Sequence, residues 1–241
     1  MSEWLSWQLA DSAFPTGSFA HSFGLEAAWQ HGEIPAVEKL RDFVEATIVR
    51  IPCLHDRCFV EKLRDFVEAT IVQTGYSVLP LVNEAFESVT RLEELDTLAN
   101  AFLTNPVANR ASRIQGRTLV GTAERIWPSE SVRAIKARSD ATYAHVAPLT
   151  GVTFRLLGLR LDTVQRIVLY TTARGVLSAA VRLGIVGSYE AQRLQYGCEP
   201  CLNGVAERCR NLIIHDLSQT APLIDLMQSA HDRLYSRLFQ S

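Results

Sequence analysis

The stretch EKLRDFVEATIV, residues 38–49, carries the pattern that decides the fold class of this chain. Four apolar residues and one threonine recur every three or four positions, the spacing that brings side chains onto one face of an α-helix. These positions are Leu40, Phe43, Val44, Thr47 and Ile48. The opposite face carries Glu38, Lys39, Arg41, Asp42 and Glu45. The stretch therefore predicts an amphipathic helix with one buried stripe.

The same spacing continues along the chain. A second stripe consists of Leu92, Leu95, Leu98, Ala99 and Phe102. No run of five or more residues alternates between apolar and polar with turn residues at both ends, so strands are not predicted. We expect an all-α protein of roughly eight to ten helices, folded as one domain over residues 1–241.

Helix ends can be assigned from proline, glycine and capping residues. Pro106 can open a helix because its missing N–H is not needed in the first turn, and this helix should stop at Pro128. Asp162 and Ser188 stand where N-terminal caps are expected. Gly184 should close the helix that precedes it, because glycine adopts the left-handed conformation that ends many helices.

The opening stretch is duplicated. VEKLRDFVEATIV occupies Val37–Val49 and recurs, letter for letter, at Val60–Val72, a period of 23 residues. True helical repeats diverge in sequence and recur three or more times. Two identical helices cannot both fill one slot in a core. We therefore expect residues 37–59 to be a surplus segment, and one copy to be displaced.

Composition excludes several classes of protein. The chain has 241 residues, 47% of them hydrophobic, and its 24 Lys and Arg against 26 Asp and Glu leave a net charge of −2. This near balance of charge gives no electrostatic reason to expect binding to nucleic acid or to an anionic membrane. No run of eighteen apolar residues and no basic, then apolar, leader is present. Five cysteines is an odd number, which does not suit a framework of paired disulfides. We therefore expect a soluble cytoplasmic protein with reduced thiols.

The sequence AHSFG places Ser22 one glycine short of the nucleophile elbow of α/β-hydrolases. That elbow needs a strand running into the serine and a helix leaving it. Here the preceding residues are DSAFPTGSF, a turn-rich segment, and partners such as Asp216 and His231 occur in any chain of this length. The favoured interpretation is a loop entering a helix, with Ser18 or Ser22 as a cap and Gly24 allowing close packing.

Several thiols and imidazoles could in principle bind a metal ion or carry redox chemistry. They are Cys53, His55 and Cys58 between the two copies, Cys198 and Cys201 followed by Cys209 and His215, and the lone His145 before a predicted helix. The first set lacks a fourth ligand at standard spacing, and the second lacks both a second pair and a βαβ context. We predict no metal site and interpret these residues mainly as packing residues.

Five motifs follow one another in a fixed order: LSWQLADSAFPTGSFAHSFGLEAA, TNPVANRASRIQG, HVAPLTG, SAAVRLGIVG and QTAPLIDLMQSAHDRLYSRLFQS. Together they resemble the urease accessory protein F family, and the last is similar to its eukaryotic branch. The matching positions in the second and third motifs are Arg110, Ala111, Ser112, Gln115, Gly116, His145, Ala147, Pro148 and Gly151. Each motif alone is unspecific, but five in order over almost the whole chain are not.

The resemblance implies a non-enzymatic nickel-insertion chaperone for urease maturation. Family members are all-helical homodimers that bridge a GTPase, urease accessory protein G, to a scaffold called D or H. The assembly delivers nickel to apo-urease, so nickel is its cargo, GTP is bound by the partner, and no cofactor is expected on this chain. The second copy also runs into QTGYSVLPLVNEAF, which is similar to the family's continuation.

We expect partner-binding residues in three places. In the family the C-terminal tail is where the scaffold docks, and tyrosine and arginine are enriched at such contacts. We interpret Pro15 to Gly24 as an exposed loop that suits either a dimer contact or a partner face. The candidates are His231, Arg233, Tyr235, Arg237 and Phe239; Pro15, Gly17, Ser18, Phe19, His21, Ser22, Gly24 and Glu26; and Arg110, Ser112 and Gln115.

Three alternatives remain at this point. Leu234, Leu238 and Phe239 could simply close the core, leaving the tail arginines in solvent. The chain could be a helical interaction scaffold unrelated to nickel. It could also be a serine-dependent or thiol-dependent enzyme built on Ser22 or on the Cys198 and Cys201 pair.

Overall fold

A computed structural model describes residues 3–16, 21–31 and 55–240, with side chains from residue 60 onwards in the last range. Every regular element in these ranges is helical, which confirms the all-α prediction. The α-helices are α1 (Glu3–Ala10), α2 (Leu25–Gln30), α3 (His55–Ser77), α4 (Leu79–Glu87), α5 (Leu92–Phe102), α6 (Pro106–Ile126), α7 (Glu130–Asp140), α8 (Val146–Leu156), α9 (Leu161–Arg182), α10 (Ser188–Gly197), α11 (Glu199–Cys209) and α12 (Pro222–Ala230).

The described ranges hold twelve α-helices, slightly more than the eight to ten expected. Two pairs explain most of the difference, because only Val78 separates α3 from α4 and only Cys198 separates α10 from α11. Pro80 and Pro200 stand in the first turns of α4 and α11. Proline cannot continue a preceding helix but fits the first turn of a new one, so the chain bends there without a loop.

Three of the predicted helix ends are confirmed: the start of α6 at Pro106, its stop before Pro128, and the end of α9 at Gly184. Asn105 caps α6 by accepting hydrogen bonds from the backbone N–H groups of Val107 and Ala108, at 2.9 and 3.3 Å, and the helix ends before Pro128. Gly184, with φ of 71°, closes α9. Its own N–H donates to the Val181 carbonyl, and the following N–H donates to the Ala180 carbonyl, the pattern of a Schellman motif.

Two predicted caps are wrong by one or two positions. Asp162 lies inside the first turn of α9, whose N-cap is Arg160. Ser188 is the first residue of α10, and Gly187 is the N-cap. Both remain close to the helix N-terminus, where a carboxylate or hydroxyl is still favourable.

The interior consists of two hydrophobic clusters. One joins α3, α9, α10 and α11, and the other joins α4, α5, α6 and α8. Gly151 allows α8 to cross α4 closely, because a Cβ atom there would lie 2.4 Å from the Val82 carbonyl oxygen. Gly116 lets α6 lie close to the backbone that leads into α8, where a Cβ atom would lie 2.0 Å from the Ala144 carbonyl oxygen. Two motif glycines are therefore points of close backbone approach.

The second copy of the duplicated stretch occupies a core position in α3. Leu63, Phe66, Val67 and Ile71 are each 5% exposed or less, in the cluster with α9 and α11. They correspond to the stripe read from the first copy. The first copy at Val37–Val49 lies outside the described residues.

Some candidate residues also fall outside the described part of the chain. They are Gly17, Ser18, Phe19 and Cys53, together with the side chains of His55 and Cys58. Within the part that the structure does describe, no helix combines the length and the apolar character needed to cross a membrane.

Candidate functional site

The segment before α2 is buried, so the expectation of an exposed loop from Pro15 to Gly24 is wrong for its second half. Pro15 is exposed, whereas His21, Ser22 and Gly24 are buried. Gly24 has φ of 84° and serves as the N-cap of α2 without a side-chain capping bond, so Ser22 is not the cap of this helix. A Cβ atom on Gly24 would lie 3.0 Å from the Gln228 backbone nitrogen, which confirms its role in close packing.

These facts also bear on the proposed nucleophile. Ser22 is fully buried, and no strand precedes it among the described residues. His231 is engaged with Glu26, and Asp216 accepts a hydrogen bond from the Ile213 N–H at an exposed turn. The strained strand-to-helix turn that exposes a hydrolase serine is not what holds Ser22 here.

Glu26 is the centre of the contact between α2 and residues 231–240, which we call the tail. The carboxylate is 1% exposed and accepts a hydrogen bond from His231 Nε2 at 2.9 Å. It also accepts the backbone N–H groups of Leu238 at 2.6 Å and Phe239 at 3.1 Å. Gln30 Nε2 adds a fourth bond at 3.4 Å. A buried carboxylate is tolerated when several donors surround it in this way.

The tail divides into buried and exposed side chains. His231, Leu234 and Phe239 are buried, and the Arg182 guanidinium lies over the Phe239 ring at 4.3 Å. Leu238 is half exposed, while the side chains of Arg233, Tyr235 and Arg237 point to solvent. The tail thus closes part of the core and also presents polar and aromatic groups outside, so the two interpretations of its sequence apply to different residues.

The exposed face of the tail meets α6. Arg110 Nη2 donates to Asp232 Oδ1 at 2.8 Å, and Arg237 Nη1 donates to the same oxygen at 3.3 Å. The two arginines beside Asp232 hold the pKa of that carboxyl below its usual range, with the Arg110 hydrogen bond as the main cause. Arg110 is exposed and shares Asp232 with Arg237, so these two guanidinium groups lie on one surface.

Ser112 and His145 fix the N-terminus of α8 instead of facing solvent. His145 is fully buried, with Nδ1 at 3.1 Å from Ser112 Oγ and Nε2 at 3.3 Å from Asn100 Oδ1. The buried Asp96 carboxylate accepts the N–H groups of Ala144 and His145 at 3.1 and 2.6 Å. Asp96 and Ser112 therefore satisfy donors at the start of α8, where anionic and polar groups are favourable.

His21, Ser112 and Gln115 line one cavity of about 170 Å³ between α3, α5, α6 and α12. Other polar side chains that line this cavity, among them Gln73, Asp225 and Gln228, were not predicted from the sequence. They come from helices that lie far apart in the chain. Burial raises the pKa of Asp225 above its usual range. A second cavity of the same volume shares Phe23, Thr74 and Gln115 with the first.

Both cavities are lined mainly by apolar side chains, with hydroxyl and amide groups between them and, in the first cavity, the Asp225 carboxyl. Hydroxyl, amide and carboxyl groups can hold water or a small polar guest. Across the described ranges, no three His, Cys, Asp or Glu side chains come together in a way that could hold a metal ion.

The thiol pair is placed for packing. Cys198 is fully buried and Cys201 is partly buried. Burial, with the charge of Glu68 adding to it, raises the pKa of Cys198 to about 11 and also raises the pKa of Cys201. The thiolate is the reactive and metal-binding form, so these environments disfavour both chemistries. Cys209 is also buried, where a Cβ atom on Gly75 would lie 2.9 Å from its sulfur.

Two buried histidines predict a loss of stability in acid. Burial, strengthened by the charges of His231 and Arg110, lowers the pKa of His21 from 6.5 to about 4. Burial also lowers the pKa of His145 to about 4 against the opposing effect of Asp96. The unfolded chain takes up these protons first, so stability is complete above pH 6.5 and falls as the pH drops towards 4. Each histidine should cost about 2 kcal/mol at pH 5.

Urea unfolding at pH 7.5 and pH 5 measures this dependence. His145→Gln should be less stable at pH 7.5 but should lose about 2 kcal/mol less than the wild type between the two pH values. His215→Gln is the control, because that side chain is exposed, and its pH dependence should match the wild type. Equal slopes for all three proteins would contradict the assignment to His145.

Comparison with known proteins identifies the family. The family model UreF matches residues 60–199, and the match begins at the first residue of the second copy. The chain is 36% identical to urease accessory protein F of Arabidopsis thaliana, over 99% of this chain and 92% of the relative. It is 34% identical to urease accessory protein F of Oryza sativa subsp. japonica, over 98% and 84%.

A bacterial relative is more distant. Urease accessory protein UreF of Rhodopseudomonas palustris strain BisB5 is 26% identical, over 99% of this chain and 88% of the relative. The two plant proteins are thus more similar to this chain than this bacterial one. With a family model covering more than half of the chain and relatives above 30% identity over nearly all of it, this chain belongs to the UreF family of urease accessory proteins.

Proposed function

We propose that this chain acts in urease maturation as a non-catalytic accessory protein. It bridges a G-type GTPase and a D/H-type scaffold, so that nickel is delivered to apo-urease. Nickel is the cargo of the assembly, GTP is bound by the GTPase, and the accessory protein works in the cytoplasm as a homodimer. Membership of the UreF family supports the maturation role.

The observation that carries the bridging role is the exposed face of the tail. Tyr235 is fully exposed, and Arg237, two residues further on, pairs with Asp232 together with Arg110. An exposed tyrosine has a large apolar area with a hydrogen-bonding end, and arginine can bind carboxylates through two parallel hydrogen bonds. This combination is common where protein partners contribute most of their binding energy.

The non-catalytic role is supported by the state of the reactive side chains. Ser22 is buried without an elbow, and the pKa values of Cys198, Cys201 and Cys209 are raised by burial. A raised pKa favours the protonated thiol over the thiolate, which is the nucleophilic and metal-binding form.

Co-purification with the two partners tests the proposal. The tagged chain should retain the D/H-type scaffold and, in its presence, the G-type GTPase. The Tyr235→Ala/Arg237→Ala variant should bind the scaffold at least tenfold more weakly, because both side chains are exposed and removing them leaves the core intact.

Tyr189→Ala provides the matched control, since Tyr189 is 86% exposed on α10 and should not alter binding. If the wild-type chain retains neither partner, the bridging role is wrong, and a helical scaffold unrelated to nickel becomes the better account. If the tail and control variants lose binding equally, the tail is not the contact.

A further inference from the structure

Glu26 is one of the candidate residues that burial keeps from touching a partner, and it stands apart because its carboxylate accepts hydrogen bonds from both ends of the tail. It is 1% exposed, and its oxygens are occupied by donors of the same chain. Those donors come from 205 to 213 residues further along the chain, apart from Gln30 on the next turn of α2. Glu26 therefore joins the N-terminal signature to the tail.

The bonds divide the tail into two fixed ends and an exposed middle. At one end His231 is held by the Glu26 carboxylate, and Leu234 is buried. At the other end the same carboxylate accepts the N–H groups of Leu238 and Phe239. Between them Tyr235, Ser236 and Arg237 are all exposed. We call residues 235–237 the arch.

Two further contacts restrain the arch itself. Gln30 Nε2 donates to the Ser236 carbonyl oxygen at 2.9 Å, so α2 also holds the middle of the arch. Arg237 pairs with Asp232 at its base, at 3.3 Å. The arch is thus restrained by Glu26 at the residues on either side of it and by Gln30 at the Ser236 carbonyl, while its side chains stay exposed.

We propose that Glu26 is a positioning residue that holds the arch in the conformation in which it binds the scaffold. This inference rests on the proposed function and adds to it the residue that prepares the contact. A segment already fixed in its bound shape does not lose that conformational freedom on binding, so its affinity is higher. Loosening the ends of the arch should therefore weaken binding without removing any contact atom.

The proposal predicts the direction of the effect. Glu26→Gln keeps the size of the side chain but replaces one acceptor oxygen with an NH₂ donor, which cannot accept from the tail amides. Scaffold binding should become about tenfold weaker, equivalent to losing the preorganisation of one or two residues. If the tail instead had to be released before binding, the same variant would bind more tightly, and that result would overturn the proposal.

A double-mutant cycle separates positioning from general damage to the fold. In the Tyr235→Ala/Arg237→Ala background the arch has no contacts left to present, so Glu26→Gln should cause no further loss of binding. If the loss is the same in both backgrounds, Glu26 acts only through overall stability and the proposal fails. Gln30→Ala is a second variant with little risk to the fold, since Gln30 is exposed, and it should weaken binding about threefold. Gln192→Ala on α10 is its control.

Hydrogen exchange on the free chain keeps the two proposals distinguishable. Glu26→Gln should speed exchange of the Leu238 and Phe239 amides while leaving α9 unchanged. Unchanged exchange at these amides overturns the positioning role even if the scaffold binds the wild type. A wild-type chain that shows protected tail amides but no binding to the scaffold overturns the proposed function, and the positioning role with it.

Discussion

Replacing Gly151 by alanine is expected to lower the free energy of unfolding by about 3 kcal/mol. The added Cβ atom would lie 2.4 Å from the Val82 carbonyl oxygen and 2.9 Å from the Phe86 backbone nitrogen. Both are backbone atoms of α4, which cannot move aside without shifting the whole helix. For a chain of this size the loss corresponds to about 6–12 °C in Tm.

Gly121→Ala is the matched control, because Gly121 is also a helical glycine and a Cβ atom there would meet nothing within 4 Å. It should leave stability equal or raise it by up to about 1 kcal/mol, since alanine loses less backbone freedom on folding. Thermal and urea unfolding measure both variants. A small effect of Gly151→Ala, comparable to that of Gly121→Ala, would show that α4 and α8 can separate at little cost.

The second large effect concerns the duplicated helix. Val67→Asp should cost about 4 kcal/mol or more, because Val67 is completely buried and an unpaired carboxylate has no donor there. Val44→Asp makes the same substitution at the equivalent position of the first copy, whose thirteen residues are identical. We nevertheless expect it to lower the free energy of unfolding by less than about 0.5 kcal/mol. Only one copy can fill the core position between α9 and α11. The soluble yield and the free energy of urea unfolding should be measured for both variants and compared.

The residues that follow each copy explain why the second copy occupies the core position between α9 and α11. Gln73 Oε1 accepts the N–H groups of Thr220 and Ala221 at 2.6 and 2.9 Å and so caps the start of α12. A Cβ atom on Gly75 would lie 2.4 Å from Val205 Cγ1. After the first copy, Arg50 and Pro52 stand at the equivalent positions. Arginine has no acceptor to offer, and proline would break the helix and overfill the contact.

Deletion of Val37 to Phe59 tests the same idea on the whole segment. The shortened chain of 218 residues should keep an equal or higher Tm, because the second copy at Val60–Val72 and its contacts are retained and only the first five residues of α3, His55–Phe59, are removed with the surplus segment. Equal losses for the two aspartate variants, or a large loss of stability on deletion, would mean that the first copy contributes to the core.

The sequence by itself determined the helical class, the faces of the helices and several of their ends. Periodicity identified the buried stripe of α3, and Pro106, Pro128 and Gly184 mark helix boundaries because their effects on the backbone are local. The five motifs also predicted the family. Each of these inferences depends on residues close together in the chain.

The tertiary structure decided which helix faces meet. Periodicity indicates that a face is buried but not what covers it, so sequence reasoning placed His21 and Ser22 in an exposed loop although α12 and the tail lie nearby. It also left Glu26 among the contact residues, although its partners at His231 and Phe239 lie more than 200 residues away. The second of the two identical stretches is likewise held by long-range contacts, of Gln73 with the start of α12 and of Gly75 with α11. Such long-range contacts depend on the arrangement of whole helices, which no local pattern encodes.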